Sequence, residues 1–294
     1  MATIPLPEAP AAMVRSPGYW ANVLSRFRRD PVAMVAAFLI LAIVLTAIFA
    51  DFIAPHDPLK GQTLRRLRPV GTPGFILGTD ELGRDMLSRL IHGAKYSLVM
   101  GVSPVLIALL VGGAIGIVAG YVGGWVNLLL MRTNDIFFAF PSVLLAIALS
   151  GALGTGIKNA LISLTIVFIP PIARVAESVT TGVRTRDYVE AARASGAGAV
   201  SIIRHHVLGN VLGPIFVYAM SLIAVSMILA SGLSFLGLGV EPPLPEWGFM
   251  LNKLKDAMYV QPLLCALPGL MIFVTSISFN LLTDGLRSAM DIKA

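Results

Sequence analysis

The run AMVAAFLILAIVLTAIFA, Ala33–Ala50, holds no charged or strongly polar side chain. About 20 such residues, wound as a helix, cross the roughly 30 Å of hydrocarbon in a bilayer. In water the same helix would have no polar face to offer solvent. Apart from Asp51 the first run continues to Ala54, and five further stretches repeat the pattern: Ser97–Gly120, Ile136–Leu153, Ala160–Ala176, Pro214–Leu238 and Pro262–Leu282. The sequence therefore predicts an all-α, polytopic membrane protein with six transmembrane helices. The fourth span is the shortest, and Pro170-Pro171 are expected to kink it.

Composition agrees. Of 294 residues, 56% are hydrophobic and 13% charged, against about 25% charged in ordinary soluble domains. The net charge of +6 does not point to nucleic acid, because the basic residues are scattered between apolar runs rather than gathered in a stripe. They suit lipid headgroups instead. A single cysteine, Cys265, excludes an internal disulfide. His56, His92 and the adjacent His205-His206 lack further ligands at metal spacing, so no metal site is expected.

Residues 1–22 are rich in Pro and Ala and read as unstructured, within a tail over 1–32 that precedes a membrane domain over 33–294. The first span is too long for a signal h-region and lacks a small-residue cleavage site, so it is retained. Lys and Arg nearly balance between alternate loops. Arg26, Arg28 and Arg29 before the first span favour an inside N-terminus, and six crossings return the C-terminus inside.

Between the spans, Pro55–Tyr96 is a long polar loop with an amphipathic helix expected over Asp80–Tyr96. Tyr121–Asp135 reads as a turn and an interfacial helix, and Gly239–Gln261 as a proline cluster followed by an amphipathic stretch. Ionisable residues are absent from the middle of every span and appear at edges, as with Asp51, Asp135, Arg174, Glu177 and Asp284. Ion-coupled carriers normally keep such groups within the bilayer, so the energy source is expected outside this chain. A phosphate loop is not formed: Gly151–Ile157 has two glycines at the right separation but Ile157 in place of lysine. No HExxH or GxSxG occurs, and no intramembrane catalytic pair. The chain reads as non-catalytic. A self-sufficient channel or secondary carrier is the rival reading.

The long charged loop Glu177–Gly213 contains RDYVEAARASGAGA, Arg186–Ala199. Asp187 with Glu190 three residues on makes a capping box, predicting a helix from Tyr188. Gly196 and Gly198 end it, and a second helix is expected from Ala199 toward His206. Ala191, Ala192, Ala194 and Ser195 leave little bulk on its surface, so another protein can approach closely. A solvated loop helix built from good helix formers is the alternative.

Glu190-Ala191-Ala192, with Gly196 four residues later, resembles the EAA loop of bacterial ABC importer permeases. Gly78–Leu90, Leu233–Gly239, Pro242-Pro243, Glu246-Trp247-Gly248 and Phe279–Arg287 are similar to the C-type permease of dipeptide, oligopeptide and nickel importers. The likeness spans roughly residues 25–292. It implies the type I ABC importer permease fold and a cytoplasmic EAA coupling loop over about 177–213, whose ATPase-coupling helix uses Asp187, Tyr188, Glu190, Ala191, Ala192, Arg193, Ser195, Gly196 and Gly198. It implies a homologous second permease as heterodimer partner, two ATP-binding subunits and a periplasmic or extracellular solute-binding protein. The membrane would be the bacterial inner membrane. ATP and Mg would be held by the partner ATPases, with no cofactor on this chain. Di- or oligopeptides are the implied substrates, with glutathione and nickel complexes as alternatives.

Three further features have two readings each. Gly112, Gly116 and Gly120 form either a seam with the partner permease or an internal packing face, the latter preferred. Ser226, Ser231, Ser234, Ser276 and Asn280 either line the path or hydrogen-bond within the bundle. Glu246 and Trp247 begin an outer stretch that is either a gate or a Trp-anchored interfacial helix.

Overall fold

A computed structural model describes residues 19–290, so residues 1–18 of the expected tail and residues 291–294 lie outside the described residues. No strand forms among the described residues. Helix α1 (Tyr19–Phe27) begins within the stretch 1–22 read as unstructured and continues into the rest of the tail. In α2 (Pro31–Ile48) Pro31 takes the first helical position, and the Asp30 side chain accepts the Val32 and Ala33 amides. Both are favourable at a helix start. Short α3 (Ala50–Ile53) continues the first span. Much of α2 faces outward with large apolar side chains, Phe38 and Ile48 among them, as a lipid-facing helix does.

The second span is longer than its apolar stretch. Helix α4 (Met86–Val122) starts where Asp85 caps the Ser88 amide and ends at Gly123, whose φ is 71°. The helix expected over Asp80–Tyr96 therefore forms from Met86 on, as the first turns of the second span and not from Asp80. The third expected span, Ile136–Leu153, is also revised. Helices α5 (Gly124–Phe138) and α6 (Ser142–Leu153) meet at 86°. Pro141 lacks an amide hydrogen and biases Phe140 away from helical geometry, which breaks the span there. Conversely α7 (Ile157–Arg184) runs as one helix through Pro170-Pro171, extending the short fourth span at its polar end.

Helices α8 (Asp187–Ala194) and α9 (Ala199–Ile202) follow. The second helix expected toward His206 does not stop there: α9 passes through a π-helical turn, Ile203–Val207, into α10 (Leu208–Phe235). Helix α11 (Trp247–Leu254) and α12 (Pro262–Met290) complete the chain. Among the described residues, five helical runs are long and apolar enough to cross a membrane, and the bent α5–α6 pair makes six.

The tightest packing is between α4 and α7, and the glycine ladder explains it. A Cβ at Gly112, Gly116 or Gly120 would collide with the backbone of Ile169, Ala173 or Glu177, one turn apart on each helix. Small residues at four-residue spacing let two backbones touch, gaining dispersion where lipid offers no hydrophobic drive. The ladder is an internal seam.

The first and last described helices, α1 and the C-terminal part of α12, meet at one end of the bundle. Gly285 of α12 abuts Ala33, Gly213 abuts Met290, and Gly123 abuts Arg184. The opposite end carries the 54–85 loop and the α10–α11 connection, where the Gly156 amide donates to the Gly239 carbonyl at 3.1 Å.

Candidate functional site

At the end of the bundle where α1 meets α12, α8 stands almost free of it. Val189 is fully buried and Ala192 partly so, whereas Asp187, Tyr188, Glu190, Ala191, Arg193 and Ser195 are exposed. The start differs from the capping box read in the sequence. Arg186 takes the cap position, and Asp187 and Glu190 fall in the first turn without side-chain caps. There their carboxylates complement the partial positive charge of the helix N-terminus. The C-terminal end follows expectation. The Ala197 amide donates to Ala192 O at 3.2 Å and the Gly196 amide to Arg193 O at 3.1 Å, with Gly196 at φ 83°. This is a Schellman closure, which needs a left-handed residue and a small apolar contact between Ala192 and Ala197. Gly198 then leads into α9, where Val200 is exposed. His205 and His206 follow in the π-helical turn. The result is a one-helix knob, pinned by Val189, with a low-relief face of alanine and serine flanked by Glu190, Arg193 and Tyr188.

At the other end Glu246 and Trp247 are buried, and this corrects the interfacial-helix reading. Trp247 is 0% exposed and its indole N–H donates to Leu90 O at 3.0 Å. The Glu246 carboxylate accepts the Gly248 amide at 2.9 Å, the Phe249 amide at 2.8 Å and the Ser97 hydroxyl at 3.0 Å. It caps α11 and fastens it to α4. Burial pushes its carboxyl above the ordinary range, opposed by the Gly248 and Phe249 amides. Gly248 lies against the backbone of Ser231, where any Cβ would clash.

The serines turn inward. Ser226, Ser231, Ser234 and Ser276 are buried, and only Asn280 of that set is exposed. Ser234 Oγ accepts the Val240 amide at 3.5 Å, while the Ser226 and Ser276 hydroxyls have no partner. Within this chain the four serines are buried, and of their hydroxyls Ser234 makes a hydrogen bond inside the bundle while Ser226 and Ser276 do not.

Sequence reading missed a knot in the 54–85 loop, although its residues belong to the Gly78–Leu90 signature. Asp80 Oδ2 accepts Arg84 Nε at 2.6 Å and Arg89 Nε at 3.1 Å, with all three side chains at most 6% exposed. Arg84 also reaches Glu81 at 2.9 Å, and Arg89 donates to Pro58 O at 3.0 Å.

Comparisons with known proteins agree with this architecture. Residues 112–293 match the family of binding-protein-dependent transport system inner membrane components, and residues 18–69 match the N-terminal transmembrane domain of oligopeptide transport permease C. The chain is similar to the glutathione transport system permease protein GsiD of Pectobacterium atrosepticum, with 38% identity over 98% of this chain and 95% of the relative. Against GsiD of an Escherichia coli strain, identity is 41% over 98% and 94% of the two chains. Among solved structures, a chain of the inward-facing MetNI methionine ABC transporter superposes with a TM-score of 0.58 at 17% identity, covering 69% of this chain and 97% of that one. That likeness speaks for the fold. The sequence signatures, the helix order and these matches together make the chain a member of the binding-protein-dependent transport system inner membrane component family, a C-type permease subunit of an ABC importer.

Proposed function

We propose that this subunit forms half of the translocation pathway for a small peptide, glutathione foremost, and receives its energy through α8. The glutathione assignment comes from what the relatives are named for; dipeptides and longer peptides are of the same chemical class. In this reading the termini and α8 face the cytoplasm, the tail over 1–32 precedes a permease domain over 33–294, and a homologous permease completes the path. Two ATPase subunits bind and hydrolyse ATP with Mg beneath it. A solute-binding protein docks on the face that carries the 54–85 loop.

The observation that carries the reading is the knob itself, a helix with one buried anchor and a small-residue face turned outward. A free-standing helix of eight residues is marginal on its own, and a groove in an ATPase would supply the missing contacts. Ala191 and Ser195 permit close approach, and Glu190 offers a charge that sets the register.

Glu190→Lys tests it. Membrane insertion should be unchanged, while co-purification of the ATPase subunits and ATP-dependent uptake fall at least about tenfold, the effect of about 1.4 kcal/mol. Uptake at the wild-type rate in that variant, or uptake by this chain alone without ATP, would defeat the proposal.

A further inference from the structure

The loop between the first two spans is built as a rigid platform, and its surface carries charge that the chain leaves unanswered. Asp80, held between the buried Arg84 and Arg89, ties the loop to α4, and the Met86 amide donates to Gly78 O at 3.1 Å. Against that base lies the segment Thr63–Arg68. The Leu67 amide donates to Asp80 O at 3.0 Å and the Thr79 amide to Arg68 O at 3.2 Å. In return the Arg68 amide donates to Thr79 Oγ1 at 2.9 Å, and the Thr79 hydroxyl donates to Arg65 O. Gly78, at φ 76°, closes on the Arg68 carbonyl, where a Cβ would clash. The Arg65 guanidinium sits 5.6 Å from the Phe75 ring centroid, and Phe75 stacks on His56 at 5.1 Å.

This frame presents a basic and apolar surface. Arg65, Arg66 and Arg68 are exposed, and among the described residues no carboxylate pairs with any of them. The loop's own carboxylates are committed elsewhere: Asp57 to Lys60 at 3.3 Å and Glu81 to Arg84 at 2.9 Å, with Asp80 and Asp85 buried. Three like charges within four residues repel one another, and an anionic partner relieves them. Leu64 is 93% exposed and Ile76 66% exposed, next in sequence to Arg65 and Phe75. Arginines around apolar side chains are the composition of a protein-binding surface.

Position decides between a protein and lipid headgroups. Helix α4 has 37 residues, about 55 Å at the helical rise, or about 52 Å along the bilayer normal at the usual tilt of about 20°. A bilayer with its headgroups is about 40–45 Å thick, so α4 projects from it. The projecting end is the polar one, because the uncharged stretch begins only at Ser97, about 16 Å of helix after Met86. A second helix sets the same level. Asp51, at the edge of the first span, meets His92 Nε2 at 3.1 Å, which puts that edge about 9 Å below Met86. Headgroups occupy about 5–8 Å on each side. The Arg65–Arg68 segment pairs with Thr79 and Asp80, ahead of Met86, and so lies at the tip of α4, past the headgroup layer.

We propose that this segment is the seat of the solute-binding protein, with Arg65, Arg66 and Arg68 pairing carboxylates on an acidic patch of that protein and Leu64 and Ile76 entering its apolar centre. The proposal rests on the importer reading above and gives its outer docking face a location and a chemistry. A loop fixed beforehand spares the ordering cost of docking, which gives the buried Asp80 knot a purpose beyond the fold. Charges at such a rim act chiefly on the rate of encounter.

The assembled importer in nanodiscs of phosphatidylcholine, titrated with the purified solute-binding protein of the same transport system, tests this. Arg66→Glu with Arg68→Glu should weaken binding at least about tenfold and slow association, with complex yield and basal ATP hydrolysis unchanged; a smaller loss overturns the proposal. Arg66→Lys with Arg68→Lys keeps the charge and should bind within about threefold of wild type; a larger loss makes shape rather than charge the determinant and overturns it. Where the charge-reversed chain fails to assemble, a solvatochromic fluorophore on Leu64→Cys in a Cys265→Ser chain leaves the arginines intact. Its emission should move to the blue when the binding protein is added. A bound complex without that movement overturns the proposal. Blue emission before any addition means that a neighbouring subunit covers the segment, and blue emission only in nanodiscs made with phosphatidylglycerol means that headgroups do; either overturns it. Failure of the binding protein to bind the wild-type importer at all would instead defeat the importer reading itself.

Discussion

The two ends of the bundle hold their short helices by opposite means. Both α8 and α11 are eight residues long. At one end α11 is secured by a buried tryptophan and a buried capping carboxylate, with four of its first residues inside the protein. At the other, α8 buries a single valine. Short helices draw their stability from packing rather than propensity. One end therefore has its contacts supplied within the chain, while the other keeps most of its short helix exposed. The contrast separates residues that keep the fold from residues that, on the proposed reading, serve assembly.

Substitutions can break this contrast in graded steps. The largest effect is expected at the closed end. Asp80→Ala strands the Arg84 and Arg89 guanidiniums in a dry site, which should cost about 3–5 kcal/mol and be read as a lowered midpoint in detergent-based unfolding. Next comes Gly116→Ala, which pushes a methyl into the Ala173 carbonyl on α7. Overpacking of that kind costs about 1–3 kcal/mol, and crosslinking across the α4–α7 seam should report a wider separation. Gly196→Ala, at φ 83°, should cost about 1–2 kcal/mol, felt locally as faster amide exchange at the α8–α9 turn. Smallest is Tyr188→Ala, an exposed position where stability should change by no more than about 0.5 kcal/mol. Its effect should appear in ATPase association. A large loss of stability there would erase the distinction between the two ends.

The sequence carries the spans because a run of apolar residues has only one solvent in which it is stable. It carries their lengths less well. Hydropathy measures hydrocarbon thickness, whereas α4 ends where Asp85 and Gly123 cap it, outside the apolar window on both sides. The break at Phe140-Pro141 is visible as a proline, but continuous apolarity on either side hides the 86° turn. The face of α8 was legible because its signal is local: an acidic first turn, small residues and Gly196. Trp247 was not. An exposed-looking tryptophan in a loop becomes a core residue only through Leu90 and Ser97, about 150 positions away, and nothing in one sequence pairs them. Asp135 and Arg174 were visible only as charges near span edges, and their ion pair depends on α5 lying along α7, which Asn127 and Asn134 fasten through Glu177 and the Pro170 carbonyl.

The unbroken passage from α9 through the π-helical turn into α10 has a mechanical corollary. Ala199 to Ser231 is about 48 Å of continuous helix at 1.5 Å per residue, with Ser231 gripped by Gly248 of α11 and Ala199 beside α8. Pivoted at that grip, a tilt of about 5° would sweep the free end by about 4 Å, roughly one residue's spacing along an extended chain. A gripped fulcrum and a long arm would turn a displacement of atomic size beside α8 into an angular change of a few degrees where α10 crosses the bilayer.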